Sequence, residues 1–151
     1  MDDISFLDAV VRLAIAVFLG GLIGVERQMH GRWAGLRTHM MVSMGAAVFV
    51  MAGQLAAGDS QNDVTRIVQG IAAGVGFLGA GTILKLSDRL EVKGLTTATS
   101  IWLSAALGTV AGLRHYQLAA ASTVVSLLVL ALLRPVEKKF SEHLDSEENT
   151  P

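Results

Sequence analysis

The residues best suited to bind an ion stand at the end of one apolar segment and the start of the next. Glu26 and Arg27 precede a short connection, and Arg37, Thr38 and His39 follow it. A carboxylate at the carboxyl end of a helix is disfavoured by the helix dipole, so Arg37 is a candidate partner for Glu26. This set would suit a small cation or an anion. The alternative is that these charges only anchor helix ends at a membrane interface.

A second charged pair, Asp8 and Arg12, is spaced i and i+4, so the two side chains can meet on one face of a helix. An unpaired arginine at the centre of a membrane helix costs about 2.5–3.5 kcal/mol on insertion scales. One interpretation is therefore a neutralised pair at the outer interface, with Arg12 reaching outward. The other is an inward-facing charge that lines a polar cavity.

Glycines are concentrated between Gly70 and Gly81, and several pairs along the chain have the GxxxG spacing. This spacing lets two helix backbones approach closely. The alternative is a break in the helix around residues 76–81, which would expose backbone groups to a polar cavity, as in transporters. The candidate glycines for packing or for a broken helix are Gly20, Gly24, Gly70, Gly74, Gly76, Gly79 and Gly81.

The segment after the glycine-rich stretch begins with Lys93, Thr96 and Thr97, and Ser100 and Ser104 follow. Hydroxyl groups in a helix can bond to carbonyl oxygens of their own helix. They can also line a path beside the glycine-rich helix. Both interpretations remain open.

Several chemistries find no support in the sequence. There is no cysteine, which excludes disulfides, thiolate metal sites and cysteine catalysis. The four histidines form no His-x-x-x-His or Glu-x-x-His pair, so we expect neither a metal site nor a cofactor. No nucleophile–base pair is apparent, so we assign no catalytic residue and do not expect an enzyme. A net charge of −1 without a basic block gives no indication of nucleic-acid binding.

Five apolar segments position these residues. The chain is 52% hydrophobic with a mean hydropathy of +0.52, and a bilayer core of about 30 Å needs roughly 20 helical residues. We therefore predict an all-α polytopic membrane protein whose partner is the lipid bilayer. The predicted transmembrane helices are at about residues 4–25, 38–57, 66–84, 95–113 and 116–134, followed by a short polar tail over 134–151.

The distribution of lysine and arginine predicts the orientation. Nine of the twelve fall on one side of the predicted membrane, Arg66 and Arg114 fall on the other, and Arg12 lies within the first helix. The residues on the rich side are Arg27, Arg32, Arg37, Lys85, Arg89, Lys93, Arg134, Lys138 and Lys139. The positive-inside rule therefore places the N-terminus outside and the C-terminus in the cytoplasm.

Five motifs occur in order along the chain. They are Arg12–Ala16, Gly20–Arg27, Ala34–His39, Gly74–Leu84 and Val92–Ser100, followed by Trp102. With them the chain resembles, over roughly residues 7–133, the MgtC/SapB family of bacterial inner-membrane proteins. The motif residues are Arg12, Glu26, Arg27, Arg37, Thr38, His39, Gly76, Gly79, Gly81, Lys93, Gly94, Thr96 and Thr97.

The resemblance implies a five-helix inner-membrane domain with a cytoplasmic C-terminus. Family members are linked to growth in low magnesium, survival inside macrophages, and acid or phosphate-related stress. They are viewed as regulators of other membrane machinery rather than as established transporters. Many carry an ACT-like domain after the last helix, which we expect this chain to lack because only residues 134–151 follow it.

Two functions follow from these observations. The first is a regulator of membrane ion or phosphate homeostasis that acts through helix–helix contacts, either in a homo-oligomer or with another membrane protein. The second is a small oligomeric ion or phosphate transporter or channel. Its path would include Glu26, Arg37 and the glycines of the third helix. The residue chemistry alone slightly favours transport, and the family resemblance favours regulation.

Overall fold

The computed structural model describes residues 4–57, 61–85 and 92–134. Within them, five helices and one pair of two-residue strands follow one another. The helices are α1 (Phe6–Met29), α2 (Leu36–Ala57), α3 (Gln61–Gly81), α4 (Leu95–Gly112) and α5 (Tyr116–Leu132), and the strands are β1 (Leu84–Lys85) and β2 (Val92–Lys93). The prediction of a helical chain with five helices is confirmed.

Local sequence explains where α1 begins and how far it runs. The Ser5 hydroxyl accepts a hydrogen bond from the Asp8 amide at 3.2 Å, and Asp8 stands in the first turn, where the dipole favours a negative charge. Arg27 stands in the last turn, where a cation is favoured. The helix therefore continues to Met29, about four residues beyond the predicted end near residue 25.

The core consists of α1, α2 and α4, which pack against one another through small residues. A Cβ atom built at Gly20 would lie 2.5 Å from the His39 carbonyl oxygen, and one at Gly24 would lie 2.7 Å from the Leu36 Cα. A Cβ at Gly108 of α4 would collide with the backbone of Ser43. The backbones of α1 and α4 therefore approach α2 as closely as glycine permits.

Helix α3 lies at the edge of this core, and only 6% of its apolar span Val64–Gly81 is buried. It runs without a break from Gln61 to Gly81, so the alternative of a break around residues 76–81 is wrong. It also ends about three residues before the predicted end near residue 84. The Thr82 amide and hydroxyl both bond to the Gly79 carbonyl oxygen, and the chain then turns into β1.

The antiparallel pair β1–β2 was not predicted. It pairs Leu84 with Lys93 and Lys85 with Val92, and it brings the chain back to the start of α4. Gly94 follows with φ of +100°, and a Cβ there would collide with the Thr82 carbonyl group. Glycine is required at this position for both reasons.

Within the described residues, three helical spans are long and apolar enough to cross a membrane: Phe6–Met29, Leu36–Ala56 and Val64–Gly81. Helix α5 is apolar but has 17 residues. Large apolar side chains are exposed on the outside of the bundle, among them Phe18, Phe49 and Phe77. Exposed apolar surface of this extent is typical of a membrane protein. The predicted tail lies, after residue 134, outside the described residues.

Candidate functional site

Glu26 has its partners at the end of its own helix. Because α1 extends to Met29, the Glu26 carboxylate lies 2.9 Å from the His30 Nδ1 and 3.6 Å from an Arg27 guanidinium nitrogen. Arg37 is exposed, and among the described residues it forms no ion pair with Glu26. The predicted Glu26–Arg37 pair is therefore wrong, since a partner one helical turn away on the same face is closer.

A small pocket adjoins Glu26, between the end of α1, the start of α4 and the end of α5. Its volume is about 70 Å³. We call it the arginine pocket, because three arginines line it. The described residues of its lining are Glu26, Arg27, His30, Arg32, Thr96, Val129, Leu130, Leu133 and Arg134. Of these, Glu26, Arg27 and Thr96 were predicted as site residues.

The predicted site residues do not include His30, Arg32 or Arg134, although the sequence suggests that Arg32, with Arg27 and Arg37, would suit phosphate or another anion. Continuing α1 by one turn would have placed His30 at i+4 from Glu26. Arg32 and Arg134 lie in the connection after α1 and just beyond α5. In the sequence both count as positive charges on the same predicted side of the membrane.

His39 belongs to a different contact. It is fully buried, with its Nδ1 2.8 Å from the Gly35 carbonyl oxygen and its Nε2 3.1 Å from the Ser100 hydroxyl oxygen. The Ser100 hydroxyl is also 2.9 Å from the Thr97 carbonyl oxygen. Since a carbonyl oxygen only accepts, Nδ1 donates to Gly35. The Ser100 hydroxyl has a single hydrogen, so it donates either to Nε2 of a neutral His39 ring or to the Thr97 carbonyl oxygen, but not to both. His39 thus connects α2 to α4 inside the bundle.

The remaining predicted polar residues are dispersed. Thr38 is exposed, like Arg37, and Thr97 is buried. Lys93 pairs with Leu84 through its backbone, and its side chain lies outside the described part of the structure. The structure therefore does not gather the nine predicted polar residues into one site.

Arg12 and Asp8 meet at the opposite end of α1. The two groups lie 2.5 Å apart, and Asp8 also pairs with Arg114 at 2.7 Å. Arg12 is 3% exposed, so its side chain does not reach outward. It donates to the Gln54 side-chain oxygen at 2.7 Å and to the Gly112 carbonyl oxygen at 2.8 Å. The inward-facing charge is thus held by protein groups from α2 and α4.

The glycines of α3 divide into two groups. A Cβ at Gly79 would lie 3.5 Å from Ala98 of α4, which is ordinary contact. A Cβ at Gly70, Gly74, Gly76 or Gly81 would meet nothing within 4 Å. These four glycines therefore do not serve close packing against the residues that the structure describes.

Two of these open glycines, Gly70 and Gly74, face a groove between α2 and α3. The groove has a volume of about 650 Å³. We call it the α2–α3 groove, and its lining is Met41, Val42, Gly45, Ala46, Phe49, Ile67, Gly70, Ile71, Gly74, Val75 and Leu78. Its surface is almost entirely apolar.

No group of three or more His, Asp or Glu side chains that could hold a metal occurs in the part of the chain that the structure describes. The chemistry available at the arginine pocket is therefore that of guanidinium, imidazole, hydroxyl and a single carboxylate. Such groups bind through charge and hydrogen bonds.

Several named proteins are similar to this chain. Protein SrpB of Synechococcus elongatus is 47% identical over 89% of this chain and 79% of its own length. Protein MgtC of Brucella abortus is 49% identical over 82% of this chain, and protein MgtC of Salmonella typhimurium is 40% identical over 88%. The chain spans about half the length of these MgtC relatives, 50% and 55% respectively.

No solved structure matches the chain. The model of the MgtC family matches residues 13–139. That range includes the end of α1 with Glu26 and Arg27, both core partners α2 and α4, and all of α5. Both the family model and the identity to SrpB cover most of the chain, and the chain therefore belongs to the MgtC family.

Proposed function

We propose that this chain is a multi-pass protein of the bacterial inner membrane that regulates ion or phosphate homeostasis through helix–helix contacts. It crosses the bilayer five times, with the N-terminus outside and the C-terminus in the cytoplasm. Membership of the MgtC family supports the role in low magnesium and in host or acid stress. The chain acts without catalysis and without a cofactor.

The α2–α3 groove is the observation that carries the helix-contact role. Its wall includes Gly45, Gly70 and Gly74, and a Cβ at any of them would meet nothing within 4 Å. In a bilayer, helices associate through close backbone approach at small residues. The groove therefore offers α3 to a helix of a second copy or of another membrane protein.

Gly74→Leu tests this role. The added side chain has space within the single chain, so the variant keeps its fold, but it fills the groove. Gly76→Leu is the matched control, because Gly76 is on the same helix, is equally open and does not line the groove. We expect Gly74→Leu alone to reduce the cross-linked oligomer in membranes and growth in low magnesium.

The role is contradicted if Gly74→Leu leaves both oligomer size and growth intact. Gly108→Leu provides the opposite control, since its side chain collides with the backbone of Ser43 and must disturb the fold. Loss of folded protein in that variant shows that the assay detects a damaged bundle.

A transporter or channel is the second candidate, favoured by the polar residues inside α1, α2 and α4. Arg12, His39, Ser43, Ser100 and Ser104 are all buried there. Polar groups at membrane depth often mark ion pathways. Flux of Mg²⁺ and phosphate into proteoliposomes, beside a Glu26→Gln control, decides this candidate. Flux that the variant loses would establish transport, whereas no flux by well-folded protein would exclude it.

A further inference from the structure

The arginine pocket combines three guanidinium groups from three separate parts of the chain. Arg27 belongs to α1, Arg32 to the connection after it, and Arg134 follows α5. Arg27 is 3% exposed, whereas Arg32 and Arg134 are exposed. Residues more than a hundred positions apart thus place positive charge around one cavity.

The charge of the pocket is positive even with its carboxylate included. Glu26 is the one carboxylate among the described lining residues, and it already lies 3.6 Å from Arg27 and 2.9 Å from His30. Three arginines and one carboxylate leave a formal charge of +2 with His30 neutral. A ligand that completes the pocket is therefore an anion.

The start of α4 adds hydrogen-bond donors to the same place. Thr96 lines the pocket and stands in the first turn of α4. The N-cap residue is Gly94, and no side chain caps this end of the helix. The first amide groups of a helix have no partner within the helix, and the dipole there favours negative charge. An anion beside Thr96 would accept hydrogen bonds from these amide groups and would be favoured by the dipole.

The size and the surroundings of the pocket narrow the class of anion. A volume of about 70 Å³ admits one small group and leaves no space for a nucleoside. Guanidinium groups match the geometry of phosphate oxygens and bind them with paired hydrogen bonds. The α5 side of the pocket is apolar, and Val129 and Leu133 are about half exposed on the outside of the bundle.

We propose that the arginine pocket binds a phosphate group, supplied by inorganic phosphate or by the headgroup of an anionic phospholipid. Arg32 and Arg134 hold the phosphate oxygens, and Thr96 with the start of α4 donates further hydrogen bonds. Arg27 neutralises Glu26 and completes the positive wall. This site does not depend on the α2–α3 groove or on transport, because binding requires neither assembly nor flux.

The test uses the full chain purified in a maltoside detergent, which contains no phosphate. One arm titrates inorganic phosphate by calorimetry, and the other measures retention of phosphatidylglycerol by native mass spectrometry. The variants are Arg32→Gln, Arg134→Gln and Thr96→Val. Arg37→Gln is the matched control, since Arg37 is an exposed arginine that does not line the pocket.

We expect Arg32→Gln and Arg134→Gln each to weaken binding by about tenfold, as for loss of one charge-assisted hydrogen bond. Thr96→Val should weaken it less, and Arg37→Gln should leave it unchanged. Because Glu26 opposes an anion, Glu26→Gln should strengthen binding. This pattern in the calorimetric arm identifies inorganic phosphate, and the same pattern only in the lipid arm identifies the headgroup.

Three results would overturn the proposal: binding of neither probe, equal weakening by Arg37→Gln, or weaker binding after Glu26→Gln. The last would indicate a cation site. Arg32 and Arg134 are exposed, so their replacement leaves the bundle folded, which circular dichroism verifies. If the unsubstituted chain forms normal oligomers but binds neither probe, this site is refuted and the helix-contact role still stands.

Discussion

The guanidinium group of Arg12 donates a hydrogen bond to the carbonyl oxygen of Gly112, 100 positions later in the chain, at 2.8 Å. Gly112 is the last residue of α4, where carbonyl oxygens have no partner within the helix and a cation is favoured. The same guanidinium contacts Asp8 of α1 and Gln54 of α2. One buried side chain therefore joins the three helices of the core.

Replacing Arg12 should destabilise the bundle. In Arg12→Leu, the Asp8 carboxylate loses one of its two arginine partners, and the Gly112 carbonyl oxygen and the Gln54 side chain lose a donor. Asp8 keeps its pairing with Arg114, so the cost comes from the Gly112 and Gln54 oxygens, and leaving a buried acceptor without its donor costs about 1–3 kcal/mol. We expect a loss of about this size in the free energy of unfolding, measured by denaturation of the purified protein in detergent.

Arg66→Leu is the control for that measurement, because Arg66 is an exposed arginine of α3. It should change the unfolding free energy by less than about 0.5 kcal/mol, as expected for a surface position. Equal effects of the two substitutions would show that Arg12 does not join the core helices.

Two glycine-to-alanine substitutions, each in a GxxxG pair, should change the stability of the protein in opposite directions. Gly108→Ala places a methyl group against the backbone of Ser43, which cannot move aside as a side chain can, and overpacking costs about 1–3 kcal/mol. Gly70→Ala meets nothing within 4 Å and gains up to about 1 kcal/mol of helix propensity. Thermal unfolding in detergent should rank the proteins as Gly70→Ala, wild type, then Gly108→Ala. The reverse order would contradict the close approach of α4 to α2.

Two buried serines should respond differently to alanine. The Ser43 hydroxyl donates to the Ala16 carbonyl oxygen at 2.7 Å and so joins α2 to α1. The Ser104 hydroxyl is fully buried and has no hydrogen-bond partner among the described residues. Because an unpaired buried hydroxyl costs free energy, Ser104→Ala should be neutral or stabilising, whereas Ser43→Ala should cost about 1 kcal/mol.

Parallel unfolding curves of the two serine variants check this difference. A loss of stability in Ser104→Ala comparable with that in Ser43→Ala would show that the Ser104 hydroxyl has a partner such as an internal water. Both variants remove the same atom from the same kind of environment, so each serves as the control for the other.

The helices could be predicted because their apolar segments are long and are separated by charged residues. Helices α4 and α5 begin at Leu95 and Tyr116, as predicted. The end of α1 could not be placed, since charged residues within its last turns resemble a loop in sequence but are favoured there by the dipole. The partner of Glu26 was misjudged for the same reason: a shorter helix puts His30 beyond its end.

The glycine pattern predicted close helix approach but not where it occurs. Gly20 and Gly24 do contact α2, whereas a Cβ atom at Gly70 or Gly74, which have identical spacing, would meet none of the described residues within 4 Å. GxxxG spacing shows that one face of a helix carries small residues, but it does not show which helix packs against that face. The arginine pocket was only partly predicted, because Arg32 and Arg134 join it through the packing of α5 against α1, which no local pattern encodes.

Because α3 lies at the edge of the bundle, a substitution there should affect the activity of the protein more than its amount in the membrane. A substitution on α3 removes few buried contacts, so the protein should still escape the proteases that degrade unfolded membrane chains. In a saturation screen that measures protein level and growth together, all of α3 should therefore tolerate substitution in protein level, and under the proposed helix-contact role only its groove-lining positions should lose growth. Over evolutionary time, the surface of α3 could therefore change while α1, α2 and α4 keep the bundle intact.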